Sequence, residues 1–401
     1  MLIEQAVILA GGLGTRLGPL THATPKPLLP VAGQPFLSLL VRELHRYGLQ
    51  VVIVAGFEGQ QIADQFQDDD RVRVLIEPAP LGTAGALRFA ISALAERFLL
   101  LNGDSLFDFN LLDLGCVPGA ASAAAVMAVR QVEDAGRYGA VHMADDHVTS
   151  FAERSPDCRA GLINGGVSLL ARDVIADLPE YVPLSIERDV YPRLAGQGRL
   201  LGRCYSGAFI DIGIPDDYAR AQHFIPEILR RGAVIFDRDG VLNEDVGYAH
   251  RPDQIRWISG AIEAVKMVND AGLFAFVATN QAGVARGFYE EQDVLELHAW
   301  MNVELRRHGA HIDAFAYSPF HPEGIVERYR RATDCRKPGP KMIVDLIAGH
   351  NADAQRVVMI GDKQSDIAAA EAAGVQAILF RGGDLRDALA PMIPRLKRMD
   401  A

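Results

Sequence analysis

The chain has 401 residues, 49% of them apolar and 23% charged, with 40 Lys and Arg against 51 Asp and Glu for a formal net charge of −11. This balance excludes a disordered or fibrous chain and, lacking a basic footprint, a non-specific binder of nucleic acid or anionic membrane. At ~150 residues per domain the length predicts two or three domains, and phosphate substrates stay allowed because a few local cations and backbone amides suffice to hold them.

The opening MLIEQAVILAGG has neither a basic n-region nor a long apolar stretch, so it does not read as a signal peptide. The longest near-apolar run, residues 120–129, is about half of the ~20 residues that a membrane span needs. Cys116, Cys158, Cys204 and Cys335 are scattered without a C-x-x-C pair, the usage expected of reduced thiols in a cytoplasmic protein.

In chain order, apolar strands are predicted at 6–10 (AVILA), 51–55, 72–76 and 98–101, then at 233–236 (AVIF), 274–278, 357–360 and 377–379. Amphipathic helices fall between them. Residues 216–231 place Tyr218, Ala221, Phe224, Ile225 and Ile228 on one face before Gly232, and residues 261–271 place Ile262, Val265 and Val268 three apart before Gly272. Each half opens with a buried strand that runs into a Gly-containing turn, so the boundary is expected near Arg231 and Gly232. The alternation predicts two α/β units in tandem, each with a mostly parallel sheet.

The first turn, Gly11-Gly12-Leu13-Gly14-Thr15-Arg16, lets backbone amides approach a polyphosphate and supplies a fixed cation. It lacks the third glycine of the dinucleotide fingerprint and the Gly-Lys-Ser/Thr of a P-loop. Lys26 stands between Pro25 and Pro27 in a stiff loop, and Gly82-Thr83-Ala84-Gly85 forms a second glycine turn before a helix. The strand Leu-Leu-Leu-Asn-Gly-Asp ends in Asp104, and Asp211-Ile212-Gly213 follows another β-like stretch. This ordered set, over about residues 3–225, resembles the sugar-1-phosphate nucleotidyltransferase family. The resemblance implies attack of a sugar 1-phosphate oxygen on the α-phosphate of a nucleoside triphosphate, with pyrophosphate leaving. It further implies Mg²⁺ on Asp104 and Asp211, Arg16 and Lys26 on phosphates, and the two glycine turns (Gly11, Gly12, Gly14, Thr15; Gly82, Thr83, Gly85) around the nucleotide. Glu153, Arg154, Asn164, Gly166 and Glu187 match sugar-side positions, with Arg154 standing where the family often has lysine.

In the second half, Asp237-Arg238-Asp239-Gly240 follows a buried strand and pairs two acids at i and i+2, as a metal site or a nucleophile–acid pair requires. Thr279-Asn280 ends a second strand, Arg336-Lys337-Pro338 precedes a helix, and Gly361-Asp362 ends a further strand with Asp366 one helical turn on. Together, from about residue 233 to 382, these motifs resemble the haloacid dehalogenase superfamily of phosphatases. The resemblance implies Asp237 as nucleophile, Asp239 as acid and base, and Thr279 and Lys337 on the phosphoryl oxygens. It places Mg²⁺ on Asp237, Asp362 and the Asp239 carbonyl, supported by Asp366. Asn280 through Gly287 and Gly247-Tyr248 look like the capless members that act on heptose bisphosphate or histidinol phosphate, in which Asn280 and Arg336 match substrate-side positions.

Those relatives carry a zinc loop of Cys-Pro-His-His-Pro and Cys-Asp-Cys. Here the corresponding segments are Ser318-Pro319-Phe320-His321-Pro322 and Thr333-Asp334-Cys335, so no zinc is expected, with Phe320 and Tyr329 packing the loop instead. The expected fold is thus α/β, with two tandem three-layer domains. A Rossmann-like nucleotidyltransferase domain spans 1–230 and a capless haloacid dehalogenase-like domain spans 232–401. The tandem implies dephosphorylation of heptose 1,7-bisphosphate at position 7 followed by guanylyl transfer to the heptose 1-phosphate. Alternatives are a mannose or N-acetylmuramate 1-phosphate acceptor beside a histidinol-phosphate-like or general sugar phosphatase, and a regulatory first domain that senses sugar phosphates. Expected partners are small molecules, with neither nucleic acid nor membrane among them and a homo-oligomer allowed.

Overall fold

The computed structural model describes residues 1–12, 14–136, 139–151 and 160–397. The chain divides into two compact units, Met1–Ile228 and Leu229–Ala401.

The first unit is built on a nine-stranded sheet: β1 (Gln5–Ala10), β2 (Gln50–Ala55), β3 (Val72–Ile76), β4 (Arg97–Asn102), β5 (Ala125–Val132), β6 (Val141–Ala144), β7 (His147–Phe151), β8 (Gly161–Ala171) and β9 (Leu200–Cys204). The spatial order is β3-β2-β1-β4-β8-β5-β9-β7-β6. Strands β1 to β4 are parallel, with Ala6 opposite both Val51 and Leu99. Strand β8 then runs antiparallel to both β4 and β5. The expected mostly parallel sheet therefore holds for one half of it only. The extra strands lie in an Ala-rich apolar run and in a stretch broken by Asn164-Gly165-Gly166, neither of which shows a period of two. Val7, Val52, Val54, Phe98, Leu100, Met127, Leu170 and Tyr191 are all buried in one core layer.

A small antiparallel ladder off this sheet has a large effect on the site. Phe209–Asp211 pairs with Ser105–Phe107, placing Asp211 opposite Ser105, and the Ile212 amide donates to the Asp104 carbonyl at 2.9 Å. Two acids a hundred residues apart in sequence thereby share one strand end.

The second unit carries a five-stranded parallel sheet: β10 (Ala233–Phe236), β11 (Phe274–Asn280), β12 (Ala314–Ser318), β13 (Val357–Gly361) and β14 (Gln376–Leu379), in the order β12-β11-β10-β13-β14. Central strands buried on both faces explain the unbroken apolar runs AVIF and VVMI. Val234, Phe236, Val265, Val268 and Leu297 pack on one face of the sheet, and Ile235, Phe276, Ile343 and Met359 pack on the other. Helix Ala261–Asp270 buries Val265 and Val268 as its spacing predicts. No helix among the described residues is long and apolar enough to cross a membrane.

Candidate active sites

In both units the polar residues gather where parallel strands end, the position at which α/β sheets bind ligands. In the first unit a cavity of ≈ 580 Å³ is lined by Gly11, Gly12, Gly14, Thr15 and Arg16 after β1, by Lys26, by Gly82 and Thr83, and by Asp104 and Asp211. Lys26 is buried, and its Nζ lies 2.6 Å from Asp104 Oδ2 and 3.7 Å from Asp211 Oδ1. The Gly213 amide donates to Asp211 Oδ1 at 2.6 Å. Burial, with the Asp104 charge adding to it, raises the Asp211 carboxyl above the usual carboxylate range, while Lys26 pulls the other way. Two carboxylates held this close, one of them disfavoured as an anion, suit a divalent cation bound by oxygen.

The glycines of the second turn have a steric origin. Gly82 has φ 69°, and a Cβ there would stand 2.5 Å from the Leu184 carbonyl oxygen, which accepts the Ala84 amide at 2.9 Å. Gly85 sits against the same segment, where a Cβ would meet the Val182 carbonyl at 2.7 Å. Thr83 Oγ1 accepts the Ile186 amide at 2.8 Å, which fixes the turn that carries Glu187. Asn164 Nδ2 donates to Glu187 Oε1 at 3.4 Å and its Oδ1 accepts the Gly166 amide at 3.0 Å, so the structure brings these three residues together. Glu153 and Arg154 lie outside the described residues.

Glu77 also lines this cavity, and no sequence motif singled it out. It follows the end of β3, so the rule that strand ends carry polar function would have found it. Its Oε2 accepts the Leu81 amide at 3.2 Å. Its Oε1 lies 2.5 Å from where a Cβ at Gly11 or Gly56 would stand, and a Cβ at Gly56 would also meet the Gly11 backbone at 2.9 Å. Burial raises its carboxyl above the usual range, with the Leu81 amide opposing.

In the second unit a cavity of ≈ 470 Å³ is lined by Asp237 and Asp239 after β10, Thr279 and Asn280 at the end of β11, Arg336, Lys337 and Asp366. The Lys337 ammonium lies 2.8 Å from Asp237 Oδ1 and 2.7 Å from Asp366 Oδ1, and donates to the Ala278 carbonyl at 2.8 Å. Burial raises the Asp237 carboxyl to about 6, with Lys337 opposing and Asp366 adding to the rise. Asp237, Asp362 and Asp366 each offer an oxygen within 4.8 Å of the others. Asp362 Oδ1 is buried with no hydrogen-bond partner among the described residues, as a ligand for a hard cation would be. The Asp239 carboxylate accepts from Arg238, Asn243 Nδ2 and Gln281 Nε2.

Asn280 is engaged with backbone. Its Oδ1 accepts the Lys337 amide and its Nδ2 donates to the Lys337 carbonyl, both at 3.0 Å. The rings of Phe320 and Tyr329 meet at 6.0 Å, and Arg331 lies 4.2 Å over Phe320. Glu291 gathers the loop by accepting from the hydroxyls of both Tyr317 and Tyr329. Arg286 and Arg336 both line this cavity, close enough for one charge to act on the other, and no ion pair to a carboxylate is formed by either among the described residues. Burial, and then Arg286, lower the Arg336 guanidinium from its usual range; burial and both arginines lower His321.

Residues 5–228 match the nucleotidyl transferase family and residues 334–395 match the HAD-hydrolase-like family. The chain belongs to the nucleotidyl transferase family, extended by a HAD-like phosphatase. Over the transferase unit it is 34% identical to D-glycero-alpha-D-manno-heptose 1-phosphate guanylyltransferase of Campylobacter jejuni, covering 55% of this chain and 98% of that protein. The crystal structure of HddC from Yersinia pseudotuberculosis is 32% identical, covers 56% of this chain and 100% of that one, and superposes with a TM-score of 0.50; that protein has also been solved complexed with GMP-PN. Over the phosphatase unit the chain is 45% identical to D-glycero-beta-D-manno-heptose-1,7-bisphosphate 7-phosphatase of Rhodopseudomonas palustris, covering 39% of this chain and 87% of that protein. The protein is a bifunctional enzyme, a nucleotidyltransferase and a phosphatase on one polypeptide.

Proposed function

We propose that the two units perform consecutive steps on one sugar. The phosphatase, residues 232–401, removes the 7-phosphate of D-glycero-D-manno-heptose 1,7-bisphosphate. The transferase, residues 1–230, joins the resulting heptose 1-phosphate to the GMP of GTP and releases pyrophosphate. Relatives of the two units are named for these two activities.

The observation that carries the bisphosphate is the pair of arginines, Arg286 and Arg336, in the lining of the phosphatase cavity. Two guanidinium groups without a counter-ion match a second phosphate, which each can grip with two N–H groups. A monophosphate at Asp237 leaves that pair unanswered. In the transferase cavity, Glu77 supports guanine. Guanine alone among the common bases presents adjacent N–H donors on its pairing edge, and a carboxylate accepts both.

In the phosphatase, an Asp237 oxygen attacks phosphorus while Thr279 and Lys337 hold the phosphoryl oxygens. Asp239 gives the leaving sugar oxygen a proton and then takes one from the water that hydrolyses the aspartyl phosphate. Asp237, Asp362 and the Asp239 carbonyl, supported by Asp366, would hold Mg²⁺. In the transferase, Arg16, Lys26 and the amides of Gly11, Gly12, Gly14 and Thr15 hold the triphosphate, with Gly82, Thr83 and Gly85 bounding the nucleotide. Asn164, Gly166 and Glu187, together with Glu153 and Arg154, orient the sugar. Asp104 and Asp211 would hold Mg²⁺ there, and at both sites a bound ion would neutralise the crowded phosphate oxygens. No zinc is assigned to the loop, because Ser318 and Thr333 offer neutral hydroxyls where thiolates are required. The proposed location is the cytoplasm.

The phosphatase relatives are named for the β anomer and the guanylyltransferase relative for the α anomer. Hydrolysis at position 7 leaves the anomeric centre untouched, so the anomer that enters the first site is the one delivered to the second. We assign the α anomer to both. The test is the intact chain with each anomer of the bisphosphate and each of the four nucleoside triphosphates. Pyrophosphate is expected with GTP and the α anomer; its absence with every nucleotide overturns the transferase assignment, and its appearance with the β anomer alone overturns the anomer.

A further inference from the structure

Arg238 lies between the two acids of the phosphatase motif and is 0% exposed. A buried guanidinium must be balanced and its donors satisfied. Its Nε lies 3.2 Å from both Asp239 oxygens, and its Nη2 lies 2.8 Å from Oδ2 and 3.1 Å from Oδ1, a two-pronged grip on one carboxylate. Nη2 also donates to the Ala249 carbonyl at 2.7 Å, and Nη1 points at His298 Nε2 at 3.4 Å.

We propose that Arg238 is a positioning residue for the phosphatase, holding the Asp239 carboxylate in the orientation from which it serves the leaving oxygen, and that His298 anchors Arg238 in turn. This rests on the reading of Asp239 as the acid. Arginine has donors only, so His298 Nε2 is the unprotonated nitrogen of a neutral ring. Burial and the Arg238 charge push His298 down to about 3, in keeping with that form. The ring is stacked on Phe315 at 4.4 Å, which fixes its plane. A neutral acceptor satisfies Nη1 without offering a rival negative charge, so Asp239 remains the carboxylate that Arg238 grips. Asn243 Nδ2 at 3.0 Å and Gln281 Nε2 at 3.1 Å complete the frame from either side.

When the P–O bond to the sugar breaks, the alcohol oxygen needs the proton of Asp239, whereas p-nitrophenolate leaves without one. A misplaced acid therefore slows the first reaction and spares the second. The experiment measures, in the full-length enzyme, the pre-steady-state release of heptose 1-phosphate from heptose 1,7-bisphosphate and of p-nitrophenolate from p-nitrophenyl phosphate. Arg238→Lys keeps the charge and loses the fork. It is expected to slow sugar release by about 10-fold to 10²-fold while nitrophenolate release stays within about twofold, with KM little changed. Retained nitrophenolate release also reports that the site is folded. His298→Phe removes the anchor and is expected to shift the two rates in the same sense by a smaller factor, and His298→Gln, which keeps an acceptor, restores the ratio. Equal loss with both substrates in Arg238→Lys and His298→Phe, or an effect on KM alone, overturns the proposal. Asp239→Asn separates the two readings. If it too slows both substrates equally, the assignment of Asp239 as acid fails; if it discriminates and the Arg238 and His298 variants do not, only the positioning role fails.

Discussion

The Lys337 ammonium lies 2.8 Å from Oδ1 of Asp237 and is fixed from behind by the Ala278 carbonyl. The same side chain reaches Asp366 at 2.7 Å, so one buried cation answers two buried carboxylates. Replacing Lys337 by methionine leaves both carboxylates uncompensated and removes a donor from the phosphoryl oxygens. We expect phosphatase kcat to fall by about 10²-fold to 10³-fold and the second unit to lose about 3 kcal/mol of stability. Guanylyl transfer from supplied heptose 1-phosphate should remain near its wild-type rate, measured as pyrophosphate release. Loss of both activities would show that the two sites are not independent.

Glu77 supplies a pH-dependent prediction. Its carboxyl is raised by burial, so it takes up a proton at a higher pH than an ordinary glutamate. Protonation removes one acceptor from the guanine edge, and the KM for GTP should therefore rise as pH falls through this raised value. Glu77→Gln should abolish that acid dependence and reduce the preference for GTP over other nucleotides by about 10-fold to 10²-fold. Linkage runs the same way. A carboxyl raised in the folded state favours folding below its unfolded value and loses that contribution as pH rises through the folded one. The ligand-free Glu77→Gln protein should thus melt higher than wild type at neutral pH, the gain vanishing in acid. An unchanged nucleotide preference would remove Glu77 from base recognition.

Metal dependence follows from the donor sets. Asp104 with Asp211, and Asp237 with Asp362 and Asp366, are all-oxygen groups suited to Mg²⁺. Exhaustive treatment with EDTA should abolish both activities, and Mg²⁺ should restore both. A chelator selective for zinc should leave phosphatase turnover and melting temperature as they were. Stoichiometric zinc in the purified protein, lost together with phosphatase activity on chelation, would overturn the assignment.

What the sequence made legible were the residues at the ends of buried parallel strands. Runs such as AVILA and AVIF are apolar on both faces and stop abruptly at a glycine or an acid, so strand and site residue are read together. Asp237, Thr279 and Asp362 were found this way. The link between Asp104 and Asp211 was not readable as a contact, because it depends on Ser105–Phe107 pairing with Phe209–Asp211, two strands too short to show a period. Strand β8 was hidden by the Asn164-Gly165-Gly166 break, which reads as a turn although the ladder continues through it with a shifted register. Glu77 belongs to no motif, and its place directly after the strand Val72–Ile76 was its one local signal. The role of Arg238 depends on Ala249 and His298, which only the fold brings to it.

Glu291 offers the last prediction. At the first turn of helix Glu291–Arg307, its two carboxylate oxygens accept from Tyr317 at the end region of β12 and from Tyr329 in the loop that leads to Arg336 and Lys337. Burial, and then Glu291, raise both phenols, Tyr317 to about 12, so both remain donors at neutral pH. The backbone transmits this grip to the cavity mouth, because the Tyr329 carbonyl accepts the His321 amide at 3.2 Å. Glu291→Ala frees both hydroxyls and lets the mouth loosen, while Asp237 and Asp239 stay in place after β10 and Lys337 stays tied to Asp237, Asp366 and the Ala278 carbonyl. The expected result is a KM for heptose 1,7-bisphosphate raised by about 3-fold to 10-fold, at roughly one lost hydrogen bond of about 1 kcal/mol, with kcat changed far less. Tyr329→Phe should reproduce part of the rise in KM, and Glu291→Gln, which still offers an acceptor, should recover most of it. A fall in kcat at constant KM would place Glu291 with the reacting groups instead of with the loop.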